Sequence, residues 1–344
     1  MPSGLQSASF TVAEVLSGPF LLNVPVYQRP YAWTPDEAGQ LLDDIVEAAG
    51  IESGLPPDPD YFLGTVLLMD AAGGEPVRLS SRMASREFDI VDGQQRLVTL
   101  LTLVAVLRDL DRTTRRSIAR RASVMITAHR GGRFFRAQRS RILLAERERT
   151  FFENYVLRPE STGVAPVELP AGPEKFIFDV RDHFVSVLSE YSNEDRLRLF
   201  DYVMEHCELV VILSDDIDRA YRMFIVLNER GKKLQRNDIL KADVIRRLEP
   251  ADMDWAVREW DAASARLGGD FETFFSHLRT IYGHTRPQIV SAVRAVMREE
   301  GGAAPFLRNA FLPLASTFAA MRANDPDAYG GLSARMRWYL HFLN

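Results

Sequence analysis

The stretch "FDIVDGQQRLVTLLTLVAVL", Phe88 to Leu107, decides the fold. Its first part is an apolar run that stops at an Asp-Gly pair. From Leu97 onward, Leu97, Leu100, Leu101, Val104 and Leu107 recur at three- and four-residue spacing and share one helical face. The stretch therefore reads as a buried strand handing over to a helix, with Asp92 placed to cap that helix. Gly93, Gln94, Gln95 and Arg96 fill the handover. An ordinary N-cap with an exposed polar first turn is one reading of them. An anion site is the other, because a helix N-terminus offers free N–H groups and the positive end of a dipole.

The neighbouring segments fit the same plan. Tyr61–Asp70 (YFLGTVLLMD) and Cys207–Asp215 (CELVVILSD) read as two more buried strands. Thr11–Gly18 reads as a short helix with a glycine stop. Phe20–Trp33 is extended, because Pro25 and Pro30 and the residues before them disfavour helix. A helix follows, with Thr34 as cap, Pro35 at its first position and Glu37 completing a capping box.

From Asp111 to Glu205 the pattern is helical, basic and then mixed. Residues 217–248 read helix, turn, helix, with Gly231 ending the first and Asn237 capping the second. Beyond Asp252 nearly everything is helical, with Trp255, Trp260, Phe271, Phe274 and Phe275 as core residues. The expected class is α/β (α+β): a small mixed-sheet core, a helical insertion at about 111–205 and a C-terminal helical subdomain. The core with its insertion spans residues 1–250 and the helical subdomain 251–344.

Composition narrows the function classes. The 344 residues are 46% hydrophobic and 26% charged, ordinary for a globular protein. No apolar run approaches the roughly 18–20 residues of a membrane span, and Met1–Phe10 has no signal-peptide pattern. Cys207 is the single cysteine, so no intrachain disulfide forms, and a cytoplasmic location is expected. No His/Cys cluster has metal-ligand spacing. The net charge is −5, yet thirteen arginines face four acids between Arg108 and Arg149. That segment reads either as a phosphate-contacting patch or as a solvated face of a chain that uses arginine throughout.

Three polar groups carry chemistry. In the first, Tyr27, Gln28 and Arg29 occupy the proline-stiffened segment, where arginine can bind phosphate and aromatics can stack on a base. In the second, Asp92 can hold a hydrated Mg²⁺, Gly93 admits close approach, Gln94 or Gln95 can orient an attacking water, and Arg96 can neutralise phosphate. The third is the turn containing Asn228, Arg230, Lys232, Lys233, Arg236 and Lys241, which reads as a polyphosphate lid or as a solvated corner. No P-loop, G-x-G-x-x-G or G-x-S-x-G motif occurs. His284 in "GHTRPQ" reads as a helix-boundary residue without a catalytic partner.

In this order, "VPVYQRPYAWTPDEAGQLLDDI", "YFLGTVLL", "FDIVDGQQRLVTLLTL" and "FIVLNERGKKLQRNDILKADVI" resemble the DGQQR-motif N-terminal domain of GmrSD-type modification-dependent restriction enzymes. The resemblance covers about residues 10–110 and 207–248. It implies a ParB/sulfiredoxin-like fold and hydrolysis of a nucleoside triphosphate, with Mg²⁺ as metal. It also implies sensing of modified double-stranded DNA and coupling to an HNH nuclease domain. That domain is absent from these 344 residues and is expected on a longer chain or a partner subunit; a homo-oligomer is a further expectation. One branch of the family senses glucosylated DNA and another, SspE-like, senses phosphorothioate. The arginine-rich composition leans toward the second.

Carried onto this chain, the resemblance implies that Asp92 to Arg96 form the nucleotide site; their chemistry makes Asp92, Gln94, Gln95 and Arg96 the expected catalytic residues and Asp92 the expected metal ligand. It implies Tyr27, Gln28, Arg29, Gly93, Asn228, Arg230 and Lys241 as nucleotide-binding residues. Arg130, Arg133, Arg136 and Arg139 are the expected DNA contacts. A non-hydrolysing nucleotide-dependent clamp is the alternative function, and a nuclease in its own right is a third.

Overall fold

The structure is a computed structural model that describes residues 5–70, 79–80, 85–111, 117–130, 137–214, 236–284 and 288–323. Asn228, Arg230, Lys232, Lys233, Arg133 and Arg136 lie outside the described residues. The chain divides into two compact units. Met1–Pro25 and Arg29–Glu229 form the first; Val26–Gln28 and Arg230–Asn344 form the second.

The first unit is built on a mixed six-stranded sheet of β1 (Gln6–Thr11), β2 (Phe20–Asn23), β3 (Tyr61–Asp70), β4 (Arg86–Asp92), β7 (Ile142–Leu143) and β8 (Cys207–Ser214). Its order is β1-β8-β3-β4-β2-β7. β3 runs parallel to β8 and antiparallel to β4, and β2 lies parallel to both β4 and β7. A separate hairpin pairs β5 (Thr127–Arg130) with β6 (Ala137–Ser140). The α+β class holds. The three strands expected from apolar runs are β3, β4 and β8. β1 escapes a hydrophobicity reading because "QSASFT" alternates half-buried with exposed positions at a sheet edge, paired only with β8.

The helices of this unit are α1 (Val12–Ser17), α2 (Pro35–Ala48), α3 (Gln94–Leu110), α4 (Ser117–Ile126), α5 (Glu146–Phe152), α6 (Pro173–Ser189) and α7 (Asn193–Glu205). α3 is the centre of the core. Besides the expected face, Val98, Leu103, Ala105 and Val106 are also buried to within 1%. The helix is apolar all round because the insertion supplies α4, α6 and α7 to cover it, and a helix enclosed on every side has no polar face to keep. Thr99 and Thr102 fit this setting by donating their hydroxyls back to the carbonyls of Gln95 and Val98, both at 2.8 Å.

Four arginines of the 108–149 segment are bonded within the fold. Arg108 is buried and donates to the carbonyls of Val156, Leu157 and Arg158 while paired with Asp109. Arg141 is buried against the carbonyls of Gly18, Phe20 and Val124. Arg121 pairs with Asp201 and Glu205, and Arg149 with Glu146. Arg108 and Arg141 are multiple donors that meet backbone carbonyls which would otherwise be buried unmet, whereas Arg121 and Arg149 form partly exposed ion pairs.

The second unit is helical: α8 (Arg236–Ile245), α9 (Pro250–Leu267), α10 (Phe271–Ile281), α11 (Ile289–Glu299) and α12 (Leu312–Arg322). Trp260 is its anchor, fully buried and stacked on Phe311 with ring centroids 4.3 Å apart. Asn237 was expected to cap α8. It instead lies inside that helix, accepting from the Trp260 indole at 2.7 Å and donating to Ser264 at 2.6 Å. A buried indole N–H needs an acceptor, and this demand outweighs capping. Among the described residues no helix is long and apolar enough to cross a membrane.

Candidate functional site at the strand-to-helix turn

β4 ends at Asp92, opposite Leu67 of β3. The expected cap position shifts by one: Gly93, not Asp92, is the N-cap of α3, with φ 92° and ψ 3°. Only glycine takes this left-handed conformation without strain. A Cβ here would also lie 3.0 Å from Val66 Cγ2 and 3.3 Å from the Thr65 carbonyl oxygen, so β3 has closed onto the turn. A glycine cap brings no side chain, and the first turn of α3 carries no acidic residue. No side-chain hydrogen bond therefore caps the positive end of α3.

Asp92 accepts from the Gly93 backbone N–H. Burial pushes its carboxyl up to about 6; the Gly93 bond and the charges of Arg96 and Arg29 hold it down. Arg96 is partly buried, its Nη1 donating to the Thr65 carbonyl at 3.2 Å. Its guanidinium lies against Gly64, where a Cβ would stand 3.1 Å from Cζ, Nη1 and Nη2 alike. Gly64 has φ 117° and sits where the register between β3 and β8 shifts. This bulge makes the seat of Arg96. Burial lowers the guanidinium pKa and the neighbouring Asp92 raises it again, which makes the two an electrostatic pair.

The two glutamines part company. Gln94 is 6% exposed, and its Nε2 is buried with no hydrogen-bond partner. Gln95 is fully engaged: its Oε1 accepts from the N–H groups of Ala32 at 2.8 Å and Trp33 at 3.2 Å, and its Nε2 donates to the Pro30 carbonyl at 3.1 Å. Tyr31 completes this fastening. Its hydroxyl meets Thr99 Oγ1 at 2.6 Å, and its N–H donates to the buried carboxylate of Glu148 at 2.7 Å. The proline-stiffened segment is thus strapped to the first two turns of α3.

The other expected site residues fall as follows. Arg29 is exposed and its charge reaches Asp92. Tyr27 and Gln28 are half-buried and belong to the second unit, where Tyr27 packs on its core. Lys241 also belongs there, 5% exposed and 2.5 Å from Asp261. Arg139 is bonded within the chain, to Glu87 at 3.1 Å and Asn23 at 2.9 Å. Arg130 lies in β5, and its side chain is outside the described residues. His284 pairs with Glu299 at 2.6 Å. Gly64 and Glu148 were not expected at the site, and Tyr31, expected only as an aromatic able to stack on a base, is buried and bonded to Thr99 and Glu148. A lone glycine inside a ten-residue strand was the available signal for the first.

Among the described residues no group of three His, Cys, Asp or Glu could hold a metal by itself. Asp92 offers one carboxylate beside amide donors. That donor set suits Mg²⁺ only in the manner Mg²⁺ accompanies a phosphorylated ligand, with one or two protein carboxylates and the rest water and phosphate oxygen.

The family model of the GmrSD restriction endonuclease N-terminal domain matches residues 12–245. The chain belongs to that family. The matched span runs from α1 through α8, so the GmrSD domain takes in every strand of the sheet except the edge strand β1, the turn at Asp92–Arg96 and the first helix of the second unit. No curated protein matches the chain.

Proposed function

We propose that this GmrSD N-terminal domain binds and hydrolyses a nucleoside triphosphate at the Asp92–Arg96 turn. We infer that the turnover is coupled to recognition of modified DNA, phosphorothioated or glucosylated, within an anti-phage restriction system. Cleavage would be done by an HNH nuclease domain on a longer chain or a partner. One observation carries the reading: a buried amide nitrogen on Gln94 without a partner, at the uncapped start of α3, between Asp92 and Arg96. Burying such a donor unmet costs about 1–3 kcal/mol, a cost a phosphate oxygen would remove.

In this reading the α3 amides and Arg96 hold the phosphate, and Gly93 lets it approach the backbone. Asp92 is the group that would hold Mg²⁺; when bound, the ion supplies charge neutralisation on the phosphates. Gln94 supplies a donor to phosphate or to the attacking water. Gln95 keeps the Pro30–Trp33 segment in place and is a positioning residue.

The test is phosphate release from ATP, GTP, CTP and UTP with no DNA, plain DNA, phosphorothioated DNA and glucosylated DNA, with Asp92→Asn alongside. Turnover that one modified DNA raises and Asp92→Asn abolishes is the expected result. Absence of turnover of every nucleotide, above the Asp92→Asn level, sinks it. The second reading, a non-hydrolysing clamp, is favoured by the engagement of Gln95, which leaves a single glutamine to handle water. Nucleotide that binds tightly and is recovered intact selects it.

A further inference from the structure

The second unit carries a cavity of its own, about 540 Å³, lined by Arg247, Arg294 and Arg298 with Met297, Gly301 and Gly302. Among the described residues no acidic side chain lines it. The arginines are organised from behind by Asp243, which is 2% exposed. Asp243 accepts from Arg294 at 2.7 and 3.0 Å, from Arg246 at 3.0 Å and from Arg247 at 3.1 Å. Burial pushes this carboxyl up, but the bonds from Arg294 and Arg246 and the charges of Arg294 and Arg247 outweigh it and hold it below the usual carboxylate range. It is therefore charged at neutral pH and offsets one of the guanidiniums it aligns.

Arg298 adds a further positive charge. It is exposed, and its side chain makes no bond to another described residue. Gly301 and Gly302, with φ of 88° and 131°, leave this side of the cavity bare of side chains. A Cβ at Gly301 would meet nothing within 4 Å. Two of the three lining guanidiniums, those of Arg247 and Arg294, are thus held in place by Asp243 around a space within the roughly 300–1,000 Å³ range of small-ligand sites. Planar guanidiniums match phosphate oxygens two at a time, which a lysine cannot do.

We propose that the Arg247–Arg294–Arg298 cavity is a phosphate-binding site separate from the Asp92–Arg96 turn, taking either a backbone phosphate of duplex DNA or the phosphates of a free nucleotide. It does not rest on hydrolysis at that turn.

The test uses the full chain and two probes: a fluorescein-labelled DNA duplex, followed by anisotropy through a salt series, and ATP without DNA, followed by calorimetry. Arg298→Glu and Arg298→Ala are compared with the parent, and a thermal melt verifies folding. Losing one charge-assisted bond to phosphate implies affinity about tenfold weaker in Arg298→Ala, and more in Arg298→Glu. If the ligand is DNA, the slope of log Kd against log salt should also drop by about one. A loss confined to the duplex identifies backbone phosphate; a loss confined to ATP identifies free nucleotide. Both affinities staying within about twofold of the parent in Arg298→Glu, with the protein folded, overturns the site.

Discussion

Replacing each glutamine of the turn by methionine keeps side-chain length and flexibility while removing the amide. Stability should then move in opposite directions at the two positions. Gln95→Met removes three hydrogen bonds to the backbone of Pro30, Ala32 and Trp33. Each is worth about 0.5–1.5 kcal/mol net, and exposure at Ala32 lets water replace part of this, so a loss of about 1–3 kcal/mol is expected. At roughly 2–4 °C per kcal/mol for a unit of this size, Tm should fall by about 2–12 °C.

Gln94→Met removes a buried donor that has no partner, so Tm should hold or rise by a few degrees. Turnover should behave the other way round. Gln94→Met should lose at least about tenfold in phosphate release, the effect of one lost polar contact in the transition state. Gln95→Met, assayed well below its Tm, should lose less. Thermal unfolding and phosphate release on the same preparations decide the matter. A Gln94→Met protein that melts several degrees below the parent, or a Gln95→Met protein that melts with it, refutes the division of labour between the two residues.

Asp92 makes a pH prediction. Its folded carboxyl sits at about 6 against an ordinary 3.8, so the folded chain holds this proton more tightly than the unfolded chain. Its charge then costs nothing below about pH 4, and the cost grows up to about pH 6 and stays above it. Asp92→Asn should accordingly be more stable than the parent at pH 7–8, by up to about 3 kcal/mol, with the two converging near pH 4 in denaturant titrations. Parent turnover should fall on acidification through pH 6.

Gly64→Ala forces a side chain into φ 117° and onto the Arg96 guanidinium; a loss of about 1–3 kcal/mol and a drop in turnover are expected. Arg139→Ala should lower Tm by breaking its bonds to Glu87 and Asn23. It should leave the salt dependence of DNA binding unchanged, as anisotropy would record.

Much of this architecture is written in local patterns. β3, β4 and β8 are apolar runs with polar stops, and the Asp-Gly handover at residue 93 marks the start of α3 correctly to within one position. What was not legible depended on partners far along the chain. The all-round burial of α3 requires helices from the insertion, and no periodicity within residues 94–110 announces them. The strap from Gln95 joins residues more than sixty positions apart, so adjacent identical glutamines give no hint that one is bonded and the other is not. The arginine-rich 108–149 segment shows the same limit: composition counts charges, whereas Arg108 and Arg141 bond carbonyls that only the folded backbone brings to them.

The enclosure of α3 has a consequence for motion. A rod gripped on every side cannot tilt or slide without opening the core, so its N-terminal amides form a fixed bench. Any rearrangement that accompanies ligand arrival falls on what is fastened to that bench, among it the backbone of Ala32 and Trp33, which Gln95 holds by hydrogen bonds beside the buried Tyr31 ring. Amide hydrogens in the middle of α3 should accordingly be among the slowest of the chain to exchange with solvent. Those of Ala32 and Trp33 should exchange early and respond most when a nucleotide is added.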